Sequence, residues 1–440
     1  MATRRWLTAL LAALLQAAPT ALRAEPTAPA DTPAPQTLQL PPGWRIGERL
    51  LPLPDWLQLS IGATAEPMAN PLGGERRQAG WIDQTSLSLS LSPGLARPVA
   101  QWQEADHWQL QLSLNQTSGD PLYSQEIGAL FELQQIAYPS GVLLTEASLT
   151  RRAGNGWLEV SAGIVPLNPS FIAAPVFDYY VHSAFNDTLN IALNGLPISP
   201  YGSLGGIVSL EPAPDLSLRY GWFDLGSTAP LAQWLGSPAP FTGIAGGSAQ
   251  LLQLSWSPAG LAPPADRAIT ACRGAGGGVV RQRPDCSGPL LVQSQLPGAL
   301  LNLGGFHTSA RSSGVYGSAT LRSGLPLGLD ERLWFGGAWS GGQAAALSPS
   351  FVAAGLVVQG PIPSRPFDVL VLAGGRAGLR EGPASSWGSA YEGMVELGYQ
   401  LRLTDGLALQ PTLQWIINPS AGSGPLPGIL AAGLQINASF

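Results

Sequence analysis

Along most of this chain apolar and polar residues alternate with a period of two, in segments of about eight to fourteen residues, which is the pattern of strands with one greasy and one wet face. The last segment is the clearest: Leu430, Ala432, Leu434, Ile436, Ala438 and Phe440 fall on one side of an extended chain, with Ala431, Gly433, Gln435, Asn437 and Ser439 on the other. Before it, Leu407, Leu409, Leu413 and Trp415 alternate with Ala408, Gln410, Thr412 and Gln414. Thr404-Asp405-Gly406 turns that strand back onto Val395, Leu397, Tyr399, Leu401 and Leu403, because Asp-Gly favours a two-residue hairpin. A second tight connection, Ala153-Gly154-Asn155-Gly156, joins a strand with Ala147 and Leu149 on its apolar side to one with Leu158, Val160, Ala162 and Ile164.

Carried along the whole chain, the pattern predicts strands at 57–63, 82–92, 107–115, 142–152, 157–165, 204–211, 215–224 and 249–256. The second half adds 299–308, 314–324, 331–340, 350–359, 367–377, 390–403, 407–417 and 429–440, for sixteen in all. After residue 24 no unbroken apolar run approaches the ~18 to 20 residues of a membrane helix, yet charge is only 11% of the chain and mean hydropathy is +0.14. A non-helical chain in lipid must pair every backbone polar group within a closed barrel, so the expected fold is all-β, a transmembrane antiparallel β-barrel of sixteen strands. An even count returns both ends of the barrel to the periplasm. The Asn-Gly and Asp-Gly turns then fall on that side, and the long connections 166–203, 225–248 and 418–428 outside. One connection breaks the rule: 257–298 is long but periplasmic by parity, and is either an insertion or conceals a hairpin.

Arg4, Arg5, the apolar run 6–15 and the small residues up to Ala24 form a secretory signal, expected over 1–24. A Pro/Ala-rich periplasmic segment over 25–55 and the barrel over 56–440 complete the expected organisation. Composition narrows the partners. All 22 basic residues are arginine, the net charge is −6, and no basic patch marks a nucleic-acid site. Cys272 and Cys286, in an exported chain, are expected to form one disulfide; two thiols are too few for zinc, and no metal or cofactor is expected. Gly274-Ala275-Gly276-Gly277-Gly278 between them follows no strand-to-helix unit and reads as a flexible connection.

If the apolar face of each strand meets lipid, the opposite face lines the lumen. The register puts Glu146, Arg152, Glu159, Arg219, Tyr316, Arg322, Glu396, Gln400, Arg402, Gln410 and Gln414 there as candidate pore-lining residues. Mixed charges with interspersed amides suit neutral, hydroxyl-rich solutes, which exchange water for side-chain donors and acceptors; the same charges also pair across strands and merely solubilise the lumen. Connection 166–203 is rich in aromatics. Asp178, Tyr179, Tyr180, His182, Asn186 and Asp187 make it a candidate constriction loop, the alternative being a surface cap packed by its own rings. The chain has three histidines and no G-x-S-x-G, so an outer-membrane hydrolase finds support only in His182-Ser183 near Asp187, and a loop histidine beside polar neighbours explains those residues better.

Several blocks resemble the carbohydrate-selective porins of the OprB family: 61–74, WLEVSAGIVPLNPSF at 157–171, LSLRYGW at 216–222 and, most specifically, YEGMVELGYQLRLTDGLALQPTLQWIINP at 391–419. The resemblance implies a sixteen-stranded porin in the bacterial outer membrane, bounded by outer-membrane lipid, passing small sugars and similar hydrophilic solutes by passive diffusion, and often a homotrimer. A general or ion-preferring porin and a structural barrel with a plugged lumen are the other readings. None of the three is an enzyme.

Overall fold

The computed structural model describes residues 54, 56–93, 106–186, 189–235, 246–258, 260, 267–270, 289–292, 296–309, 312–324, 329–341, 348–362, 365–379, 390–404, 406–421 and 425–439. The signal at 1–24, nearly all of 25–55, Cys272, Cys286, Asp187 and Phe440 lie outside the described residues. The first eight strands are β1 (Leu57–Leu72), β2 (Ala79–Leu91), β3 (His107–Asp120), β4 (Gly141–Ala153), β5 (Leu158–Pro166), β6 (Gly202–Ala213), β7 (Leu216–Asp224) and β8 (Ser248–Trp256). Then come β9 (Arg267–Thr270) and β10 (Pro289–Val292), followed by β11 (Ala299–Thr308), β12 (Ser313–Arg322), β13 (Asp330–Gly341) and β14 (Ser350–Gln359). The last four are β15 (Val369–Gly378), β16 (Tyr391–Thr404), β17 (Leu407–Ile417) and β18 (Ile429–Ser439).

Sixteen of these strands close into one barrel, each antiparallel to its neighbours in sequence order, with β1 zipped to β18. The doubtful connection 257–298 resolves as an insertion: β8 pairs directly with β11, while β9 and β10 pair with each other. All sixteen expected strands are present, and the largest departure is β1, which runs on through Pro67 to Leu72 where the pattern had stopped at 63. Proline has no N–H to give to the ladder. Accordingly the pairing of β1 with β18 passes from Ala65 to Met68, and that of β16 with β17 lapses around Pro411, between Gly398 and Leu401.

The outer wall is apolar, with Leu59, Leu87, Leu112, Leu254, Leu303, Phe335, Val352 and Leu413 among its exposed side chains. Tryptophans sit at its two margins. Trp81, Trp222, Trp339 and Trp415 lie near the strand ends at one rim, and Trp56, Trp108, Trp157 and Trp256 near those at the other, all exposed. Two guanidiniums on the same face lie over rings at these levels, Arg376 at 4.4 Å from the Tyr391 ring and Arg151 at 5.6 Å from Trp108. Amphipathic rings in two belts, with leucines between them, match the boundaries of a hydrocarbon slab.

Candidate functional site

Two long connections at the end of the barrel away from its termini turn inward: 121–140, which contains a short helix at Ser124–Ile127, and 167–201, which contains another at Asn168–Phe171. Their apolar residues, including Leu122, Ile127, Phe131, Leu133, Phe177, Tyr180 and Phe185, are buried together with inward-facing wall residues of β13 to β15 such as Trp334, Phe351, Val357 and Val371. That explains a feature of the sequence that alternation misses. β14 reads SFVAAGLVVQ, nearly apolar throughout, because one of its faces meets lipid and the other meets an inserted loop. Tyr180 accepts a hydrogen bond from Trp334 Nε1 at 2.8 Å, and Phe177 meets the Trp334 ring edge-on at 5.0 Å. Gly355 makes room for this: a Cβ there would lie 2.4 Å from Trp334 Nε1 and 2.7 Å from Tyr180 Oη.

Polar wall residues latch the loops. The Glu396 carboxylate accepts from the N–H of Val181 at 2.8 Å, of His182 at 3.0 Å, and from Thr412 Oγ1 at 3.1 Å. Glu392 accepts from Leu130 N–H at 2.9 Å and Ser420 N–H at 2.8 Å. Gln410 Nε2 donates to Tyr179 O at 2.7 Å and Gln414 Nε2 to Leu133 O at 2.9 Å. Glu66 on β1 receives Ile136 N–H at 3.2 Å. Backbone N–H groups of a non-regular segment buried in a barrel need acceptors, and these carboxylates and amides supply them.

The candidates from the register therefore divide by surroundings. Glu396, Gln410 and Gln414 point inward but are buried beneath the loops, as is Tyr316. Gln400 donates to Gln410 Oε1 at 3.2 Å. Glu146 and Arg152 on β4, Glu159 on β5, Arg219 on β7 and Arg402 on β16 also turn inward and are partly exposed, while Arg322 at the end of β12 is exposed. Arg152 and Glu159 form an ion pair across neighbouring strands, Glu146 accepts from Ser148 Oγ at 2.7 Å, and Arg219 Nη1 donates to Ser170 O at 2.9 Å. Of the loop candidates, Asp178 is exposed and Tyr179 partly so. Burial raises the Tyr179 phenol, with Asp178 adding and the Arg402 charge opposing. Tyr180 and His182 are buried, and Asn186 staples the loop internally, donating to Tyr180 O at 3.0 Å. Burial alone pushes His182 down to about 3, and its Nδ1 accepts the Ala184 N–H at 3.1 Å.

On the other side of the lumen the wall is polar and largely uncharged. Thr64 on β1, Ser86 and Ser88 on β2, Gln109, Gln111 and Ser113 on β3, and Asn437 on β18 face inward and are partly exposed. They hydrogen-bond across strands, Ser88 with Ser113 at 3.0 Å and Thr64 to Asn437 at 2.8 Å, and Ser90 with Gln111. Sequence reasoning did not single out this carpet, the 121–140 insertion, Glu66 or Glu392. The signal for the first was present in the Ser-x-Ser-x-Ser run at 86–90 and the Gln-x-Gln run at 109–111. For the second it was the density of apolar residues in a connection too greasy for water.

Residues 102–440 match the model of a family described as carbohydrate-selective porin, OprB family. The high-pH structure of OprB from Pseudomonas putida is similar at 18% identity and a TM-score of 0.68, covering 90% of this chain and 96% of that one. The low-pH structure of the same protein is similar at 16% identity and a TM-score of 0.51, with the same coverage. Among curated proteins none matches the chain.

Proposed function

The chain belongs to the OprB family of carbohydrate-selective porins, and we propose that the sugars it passes travel along the polar side of its lumen, opposite the wall that the inserted loops cover. It is an outer-membrane channel for carbohydrates and not an enzyme. The observation that carries the proposed path is the contrast between the two halves of the inner wall. From β13 to β15 that wall is mainly apolar and packed against the inserted loops, whereas β18 and β1 to β4 present partly exposed hydroxyls and amides. A neutral polyol gives up water at little cost where each lost hydrogen bond is replaced, and side chains that both donate and accept do this without a net field to hold ions.

On this reading Asp178 and Tyr179 form the loop edge that a passing solute meets, and Glu146, Arg152, Glu159, Arg219, Gln400, Arg402 and Arg322 border the lumen, with Glu396, Gln410, Gln414, Tyr180, His182 and Asn186 holding the loop in place. Export by a signal at 1–24 and a periplasmic segment at 25–55 belong to the same proposal, as does assembly into a homotrimer. Ala63, Ala65, Ala69, Ala432 and Ala438 leave the outer wall of β1 and β18 flat enough for close approach of a second barrel. A sedimentation mass of one subunit in mild detergent would contradict the trimer.

Liposome swelling tests the path. Wild-type channels are expected to admit glucose faster than an amino acid of either charge and similar size, and Ser88→Leu, which puts an apolar branch into the polar carpet, is expected to slow glucose. Equal swelling with every solute of one size reduces the protein to a general pore.

A further inference from the structure

On the outer wall, at the rim away from the barrel's termini, β15 turns one guanidinium towards the membrane. Arg376 is exposed, and its Cζ lies 4.4 Å from the centre of the Tyr391 ring on β16. An even-stranded barrel with both ends in the periplasm puts this rim in the outer leaflet, and the belt tryptophans Trp339 and Trp415 mark the same level. No carboxylate among the described residues pairs with Arg376. Val352 on β14 and Gly393 on β16 stand in register with it, and Gly374 and Gly378 lie two residues away on its own strand, below and above. These three glycines sink the surface around the charge. Within 4 Å a Cβ on Gly374 would meet only Met394 O, at 3.9 Å. Val352, 62% exposed, and Trp415, 53% exposed, rise on either side of the hollow. Below it, towards the middle of the bilayer, the outward pair Leu372 and Leu397 continues the surface as hydrocarbon.

We propose that this hollow binds a phosphate of the outer leaflet's phosphorylated glycolipid, with the Arg376 guanidinium donating two parallel N–H bonds to the phosphate oxygens and the lipid's acyl chains lying over Leu372 and Leu397. A planar guanidinium matches two oxygens of one phosphate, and the face of the Tyr391 ring holds that plane without using any N–H group. A charge without a protein partner at the edge of hydrocarbon is costly unless water or an anion meets it, and the anions that stand at this height are lipid phosphates. The surroundings favour a lipid over a second copy of the chain: the flat alanine face of β1 and β18 lies beyond β17, whose exposed Trp415 projects between that face and Arg376. At the opposite rim the corresponding guanidinium is Arg151, over Trp108, which faces the inner leaflet.

The site depends on the barrel standing in its membrane and not on the sugar path, so its test reads lipid rather than solute. Folded protein in mild detergent, checked by heat-modifiable gel migration, is titrated with lipid A carrying both its phosphates, and native mass spectrometry gives the fraction of barrels that hold lipid. Arg376→Gln is expected to raise the half-saturating concentration about ten-fold, the effect of losing one charge-assisted pair, and Tyr391→Leu, which frees the guanidinium to swing, to raise it by less. Lipid A stripped of phosphate is expected to bind wild type and Arg376→Gln alike. Arg151→Gln, which removes the same charge at the other rim, is expected to bind as wild type does. The single-channel conductance of Arg376→Gln is expected to equal that of wild type, since the side chain lies outside the lumen. Equal affinity of wild type and Arg376→Gln overturns the site, as does an equal loss in Arg151→Gln, which would mean attraction by net charge alone. Displacement of the lipid by millimolar inorganic phosphate overturns it in favour of a free anion, and a smaller number of associated subunits in Arg376→Gln overturns it in favour of a contact between copies.

Discussion

His182 is held with Nδ1 accepting the Ala184 N–H and its ring against Phe131 and Phe185, at centroid distances of 6.3 and 5.4 Å, so an added proton would be stranded among apolar groups. Burial lowers its pKa from 6.5 to about 3. Between those values a released loop binds a proton that the inserted loop refuses, and insertion therefore weakens as pH falls from 6.5 towards 3, by up to about ten-fold per pH unit. Glu132 acts with the opposite sign. Burial raises it from 4.5 to about 7, so the other inserted connection, 121–140, keeps a proton that it would lose on release, and its insertion strengthens as pH falls through that window. Hydrogen exchange at the backbone of 177–186, compared between wild type and His182→Phe at pH 7 and pH 5, isolates the histidine. Wild type is expected to lose protection relative to the variant on acidification, and a constant ratio would mean that the ring is hydrated. Nothing local announces this behaviour: in the sequence His182 is a loop histidine beside polar neighbours, and its ring is dry because Phe131, 51 positions away, covers it.

At the scale of an element, the inserted loop 167–201 is held by latches on strands far along the chain. Glu396 takes two of its backbone N–H groups, and Glu396→Ala leaves both without an acceptor at about 1 to 3 kcal/mol each. The barrel is expected to form normally, because its ladder is untouched, while single-channel conductance and open-channel noise increase as the loop lifts. Conductance equal to wild type would show that aromatic packing on Trp334 holds the loop without the carboxylate. The aromatic content of this loop was legible in the sequence, as was the inward direction of Glu396. What they do to each other was not, since 214 residues separate His182 from Glu396 and the pairing exists only once the barrel closes. The strands β13 to β15 carried a hint in their double apolar faces, which a one-sided lipid contact does not require.

Across the whole molecule the two tryptophan belts define how the barrel sits in its membrane, and the cost of a charge on the outer wall should follow depth. Phe335, exposed near the middle of β13, becomes about 2 to 4 kcal/mol less favourable on substitution to Arg; Trp339, in the belt near the end of the same strand, costs about 0 to 1 kcal/mol. Urea unfolding from lipid vesicles measures both, and equal losses would place the hydrocarbon boundary elsewhere. The sixteen barrel strands and the face taken by most residues in them were set by the amino-acid order alone, because a side chain's direction in an unbroken extended ribbon follows the parity of its position. Ring closure followed from the need to pair every backbone group in lipid. The identity of what each inward face touches was decided by tertiary structure. Gln414 and Ser88 look alike in the pattern, yet one is sealed beneath Leu133 and the other is open to the lumen, because two connections chose to fold inward and could cover only part of the wall.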